Sequence, residues 1–199
     1  MLKELLKNKN FFKIIKEFLK KPQILDIILF GSLARGKDEP RDIDLLVIYT
    51  GKEFEGYNLR KKLESINKNI ELIFKRYDDV FNPEFFAREA ILSEGYSLKK
   101  KKFISESLGY DNFILFIYSL KNFNKSKRMQ FYYSLYGRGK QLGMLEKSKS
   151  HKFSDKIILC PVENSETIKS FLERLGIIYR ESPILIPKRM IKHLVNKSK

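Results

Sequence analysis

The residues best placed to do chemistry are two aspartates, Asp42 and Asp44, which open the apolar run Ile43-Asp44-Leu45-Leu46-Val47-Ile48-Tyr49. Side chains alternate across a strand, so residues two apart share a face and these carboxylates are expected side by side. Like charges that close repel each other unless a cation lies between them. Carboxylate ligands with open positions for water and phosphate suit Mg²⁺ (or Mn²⁺) bound to a triphosphate. Upstream, the apolar run from Ile24 to Phe30 stops at Gly31-Ser32. This pattern predicts a buried strand entering a tight turn, with Leu33 to Arg35 opening a short helix. A glycine lets the backbone approach a ligand, and the amides of a helix start, with the Ser32 hydroxyl, can donate to phosphate oxygens. The two arms thus offer phosphate donors on one side and metal ligands on the other.

Gly31-Ser32-Leu33-Ala34-Arg35-Gly36 followed by Asp42-Ile43-Asp44-Leu45 resembles the signature of the DNA polymerase beta superfamily of nucleotidyltransferases, most of all its minimal members. The resemblance covers roughly the first 105 residues. It implies a mixed sheet with flanking helices and transfer of a nucleoside monophosphate from an NTP, with pyrophosphate leaving. It also implies that Asp42 and Asp44 are catalytic metal ligands and that a third carboxylate comes from a neighbouring strand. Glu71, in Asn69-Ile70-Glu71-Leu72-Ile73-Phe74, matches that position, where it would accept the proton of the attacking hydroxyl or help hold a second metal. Gly31, Ser32 and Arg35 match the nucleotide-binding positions. Arg41 stands where the family usually has Ser, and Glu71 where it more often has Asp. Taken singly, each feature also has an ordinary explanation: aspartates at strand starts serve turns, Arg35 can be a surface charge or an internal ion pair, and Glu71 a solvated carboxylate.

The elements that must position these groups are legible in outline. Residues 1–21 place Leu2, Leu5, Leu6, Phe12, Ile15, Phe18 and Leu19 near helical spacing among seven lysines, which predicts an amphipathic helix, broken near Asn8 to Asn10 and packed on the first sheet. Gly56 to Asn67 reads as a helix burying Leu59, Leu63 and Ile66. Residues 77–82 read as a loop. A helix is expected from Pro83 to Ser93 with Phe85, Phe86, Ala90 and Leu92 on its apolar side. Tyr96 to Ile104 reads as a lysine-bearing edge strand.

In the second half, residues 111–123 are apolar nearly all round and predict a buried helix, followed by a helix over 125–136. Gly137-Arg138-Gly139-Lys140-Gln141-Leu142-Gly143 is glycine-rich and basic but lacks the Lys-Ser/Thr ending of a Walker A loop. Aromatic and basic residues interleave from Arg128 to Lys140. Arg128, Arg138 and Lys140 are therefore candidates for nucleic-acid contact, although tyrosines at helical spacing also serve cores. Lys156 to Val162 reads as a strand, and Asn164 or Ser165 as the cap of a helix closed by Gly176. Two more strands, 177–180 and 184–186, are expected around a Ser182-Pro183 turn, and a basic tail from Lys188 is expected to be helical over 190–195.

The chain of 199 residues carries a net charge of +16, with 22 basic and 16 acidic residues through position 105 and 18 and 8 beyond it. A polyanion is the natural partner of such a surface, although lysine-rich surfaces also arise without any ligand. One cysteine, Cys160, excludes an internal disulfide framework and fits a reducing cytoplasm. Two histidines leave little for a histidine metal site. No stretch reaches the length of a signal core or membrane span.

The reading is an α/β protein: a nucleotidyltransferase-fold domain with a mixed sheet over 1–105, then a small basic α+β domain over 106–199. The expected function is Mg²⁺-dependent nucleotidyl transfer to a hydroxyl. The acceptor is an RNA first, a protein second and a small molecule third. The competing class is a nucleic-acid-binding protein that keeps the fold without the chemistry.

Overall fold

The computed structural model of the chain describes residues 8–51, 54 and 56–195. It divides into two units between Leu108 and Gly109. In the first unit, Asn8 caps helix α1 (Lys9–Leu19) by accepting from the amides of Asn10 and Phe11, which explains why the helix starts there. Leu2, Leu5 and Leu6 lie outside the described residues. Strand β1 (Ile24–Phe30) runs into a single helical turn, α2 (Gly31–Ala34), and the chain returns as β2 (Ile43–Tyr49), antiparallel to β1. Helix α3 (Tyr57–Glu64) then crosses to β3 (Ile70–Arg76), which pairs parallel with β2.

The run 77–82, expected as a loop, contains a helical turn, α4 (Tyr77–Val80). The helix expected from Pro83 begins only at Arg88, as α5 (Arg88–Glu94). Asn82 accounts for the delay: its side chain accepts from Glu84 N and its carbonyl from Phe85 N, so local turns take the bonds a helix would need. The apolar side is Phe85 and Ile91; Phe86 is 96% exposed. The expected edge strand is two short ones, β4 (Tyr96–Ser97) and β5 (Lys102–Phe103), with Lys101 at φ 55 between them, followed by the turn α6 (Ile104–Ser107). The sheet order is β3-β2-β1-β4-β5.

Helices cover both faces of this sheet. Ile27, Leu29, Leu45 and Val47 pack with Phe11, Ile15, Phe18, Leu59 and Leu63 of α1 and α3. On the opposite face, Ile28, Phe30 and Leu46 pack with Phe85 and Ile91. Burial on both faces is why β1 and β2 read as nearly continuous apolar runs.

The second unit contains β6 (Tyr110–Ser119), α7 (Lys125–Tyr136), the hairpin strands β7 (Gly137–Arg138) and β8 (Gln141–Leu142), and the turn α8 (Met144–Lys147). It continues with β9 (His151–Ser154), β10 (Ile157–Pro161), α9 (Ser165–Arg174), β11 (Ile178–Pro187) and α10 (Lys188–Val195). The four-stranded sheet is antiparallel, in the order β11-β6-β10-β9. Residues 111–123, expected as a buried helix, are chiefly strand. β6 lies between two neighbours, with Phe113 in one apolar cluster and Tyr118 edge-on to Phe131 of α7 on the other side. A strand covered on both faces has no polar side, so it loses the alternation that would separate it from a buried helix. The expected Ser182-Pro183 turn is the middle of β11. Proline is tolerated there because β11 is an edge strand and the missing amide faces no neighbour. Cys160 is buried and its thiol is pushed up to about 12 by burial, consistent with an inert core residue.

Candidate active site

The site is built where β1, β2 and β3 run together. Leu45 and Val47 point to the α1/α3 face, so Asp44, like Leu46, points to the other. Phe30 is its register partner on β1, and Glu71 its register partner on β3. Glu71 is exposed, with Ile70 and Leu72 buried on the opposite face. Asp42, just ahead of β2, is half-buried. The two aspartates and Glu71 therefore share one face of the sheet, at the end where β2 and β3 begin.

Their charges interact. Burial first, then the Asp42 and Glu71 carboxylates, raise the Asp44 carboxyl from its ordinary value to about 6, while Arg35 opposes the shift. A folded protein tolerates such a concentration of negative charge at a cost, which a bound cation would offset. The donor set, hard carboxylate oxygens, fits a Mg²⁺-class ion. Among the described residues no three acidic, histidine or cysteine side chains are gathered tightly enough to hold a metal by themselves. Mg²⁺ is commonly held by one or two carboxylates together with substrate phosphates, and that arrangement needs no third protein ligand in place beforehand.

Gly31 sits against this carboxylate. It adopts φ +74, and a Cβ added to it would collide with Asp44 Oδ2. Only glycine permits both the left-handed backbone and this approach. No side chain caps α2, whose four residues make a single turn, so any phosphate donors are local amides and not a long helix dipole. Ser32 is in that turn, half-buried.

Arg35 ends α2, and its Nη1 donates to both Glu94 carboxylate oxygens at 3.0 Å. Glu94 is 7% exposed at the C-terminal end of α5, where the helix dipole disfavours an anion, so the guanidinium is a necessary counter-charge. The sequence left Arg35 as a nucleotide contact, a surface charge or an internal ion pair to the aspartates, and gave no place to Glu94. The available signal was spacing: Ala87, Ile91 and Glu94 follow the rhythm of a buried helix face, and a carboxylate on such a face requires a partner.

Arg128, Arg138 and Lys140 belong to the second unit. Arg128 is in the first turn of α7, with its Nε donating to Phe123 O at 2.9 Å. Arg138 lies 4.9 Å from the Tyr133 ring centroid, and Lys140 is exposed in the β7–β8 turn. Two of the three glycines of this segment answer to packing: a Cβ on Gly137 would meet Gln141 O, and one on Gly143 would meet the Tyr136 and Gly137 backbone.

A family model for the nucleotidyltransferase domain matches residues 11–110, which is half of the 199-residue chain. The protein therefore belongs to the nucleotidyltransferase domain family. Membership implies transfer of a nucleoside monophosphate from an NTP, in a family that generally uses divalent metals. Among curated proteins, none matches the chain in sequence. No helix among the described residues is long and apolar enough to cross a membrane.

Proposed function

We propose that this chain is a Mg²⁺-dependent (or Mn²⁺-dependent) nucleotidyltransferase that moves NMP from an NTP to a hydroxyl of an RNA. The observation that carries the reading is the crowding of Asp42 and Glu71 around an Asp44 carboxyl already raised to about 6, directly against the Gly31 backbone. Asp42 and Asp44 would hold the metal, which would neutralise triphosphate charge and the departing pyrophosphate. Gly31 and Ser32 would hold phosphate oxygens through the turn, and Arg35, fixed by Glu94, would add positive charge beside them. The acceptor oxygen bonds to the α-phosphorus, the bond from that phosphorus to the bridging oxygen breaks, and Glu71 accepts the hydroxyl proton. Positioning and charge supply most of the rate in such transfers.

RNA is favoured as the acceptor by the charge beyond residue 105, +10, and by tyrosines that remain exposed on α7. The test is incubation with α-phosphate-labelled NTPs, Mg²⁺ and RNA carrying a free 3′-hydroxyl, with label expected on the RNA. Label on a protein instead would move the acceptor to that class. A second reading, nucleic-acid binding without chemistry, is favoured by the exposure of Glu71 and the lack of a three-carboxylate cluster among the described residues. Salt-sensitive RNA binding with no incorporation would establish it.

A further inference from the structure

Helix α7 presents Arg128, Tyr132 and Tyr136 four residues apart, hence on one stripe. That stripe forms one wall of a hollow of about 560 Å³ within the second unit. Lys121, Lys152 and Lys156 supply further positive charge around it, against one carboxylate, Asp155. The volume lies in the range of sites that take a nucleotide-sized ligand, roughly 300–1,000 Å³. Only Phe131 and Leu135 of α7 enter the core; Tyr132 and Tyr136 stay 37% and 45% exposed. Their rings lie nearly parallel, 20° apart with centroids at 6.1 Å.

The walls are held in place. Arg128 is tethered to Phe123 O and Tyr118 OH donates to Asp155 O at 2.9 Å, whereas Lys152 Nζ is engaged by Asp155 Oδ1 at 2.8 Å. Exposed, preset aromatic faces beside fixed cations are the combination that binds unpaired bases together with their phosphates. A duplex keeps its bases stacked on each other and offers no face to a tyrosine. The neighbouring hollow, lined by Arg138, Lys147 and Arg174, is less suited, because Arg138 already covers the Tyr133 ring.

We propose that this hollow is a binding site for single-stranded RNA, with a base on Tyr132 and Tyr136 and the adjoining phosphates on Lys121, Arg128, Lys152 and Lys156. The assignment rests on the RNA-acceptor reading above and gives it a location. Asp155 acts as a brake, since it holds Lys152 away from phosphate.

The test is fluorescence anisotropy of the full chain with a fluorescein-labelled single-stranded RNA of roughly a dozen nucleotides, at low and moderate salt. Replacing both tyrosines by leucine (Y132L/Y136L) is expected to weaken binding at least roughly tenfold with little change in salt slope, whereas the Phe pair (Y132F/Y136F) retains it. Lys121→Ala is expected to weaken binding and flatten the salt slope. Asp155→Asn, at a side chain 91% exposed, is expected to tighten binding. A Leu pair that melts like the parent yet binds RNA equally well would overturn the site. Should the Leu pair fail to fold, unchanged affinity in both Lys121→Ala and Asp155→Asn would do so. Equal affinity for a duplex, for DNA of the same sequence or for free AMP would also overturn the assignment. Mg²⁺-NTP binding measured on the same variants separates the two claims. Tyrosine-dependent RNA binding without NTP binding sinks the transferase reading alone, and NTP binding with tyrosine-independent RNA binding sinks the hollow alone.

Discussion

Gly31 lies so close to Asp44 that the carboxylate occupies the space a Cβ on the glycine would need. Gly31→Ala must therefore push Asp44 aside and also place alanine at φ +74. The expected cost is about 1–2 kcal/mol of stability, together with loss of Mg²⁺-NTP binding. Urea unfolding and nucleotide titration check the two effects separately.

Asp44 makes the fold sensitive to pH in a defined direction. Its carboxyl is raised to about 6 in the folded chain against an ordinary value of 3.8, so the folded state binds more protons than the unfolded state between those limits. Stability from this group is complete below about pH 4 and is lost as pH rises through 6. In metal-free buffer Asp44→Asn is expected to melt higher than the parent at about pH 7.5, with the gap closing near pH 4. The variant should at the same time lose nucleotidyl transfer. Thermal melts across that range, with chelator present, decide the matter.

The Arg35–Glu94 pair links the turn to α5, and neutralising the carboxylate removes the charge from that link. Glu94→Gln is expected to cost roughly 1–3 kcal/mol. It should raise KM for the NTP more than it lowers kcat, because Arg35 would position phosphate while the carboxylates do the chemistry. An equal loss in a variant far from Arg35 would show that the effect is merely one of stability.

Asp26 is a half-buried carboxylate, away from the chemistry. It accepts from Ser97 Oγ at 2.6 Å and from Ile27 N at 2.8 Å, tying β1 to β4, and burial raises its carboxyl despite these bonds. Ser97→Ala is expected to destabilise by about 1–2 kcal/mol at neutral pH. The loss should shrink in mild acid, where the carboxyl can take a proton, and nucleotide binding should be unchanged.

Much of the first unit is legible in sequence because its signals are local. The run 24–30 ending in Gly-Ser, the alternation about Glu71 and the helical spacing of Leu59 and Leu63 each name an element without reference to the rest of the chain. That Glu71 pairs with Asp44 depends on the register of β2 and β3, which no single stretch encodes. Glu94 was hidden because its partner is 59 residues away. In the second unit, β6 lacked a polar face to betray its period, and Pro183 looked like a turn because its edge position was invisible. The exposure of Tyr132 and Tyr136 beside buried Phe131 follows from which side of α7 meets the sheet, a tertiary fact.

The most direct measurement is calorimetric titration of ATP, GTP, CTP and UTP with Mg²⁺ into the parent chain and the Asp42→Ala, Asp44→Ala double variant. At least one NTP is expected to bind the parent, only with the metal present, and to lose that binding in the variant. A folded parent that binds none of the four, or a variant that binds as the parent does, would contradict the account.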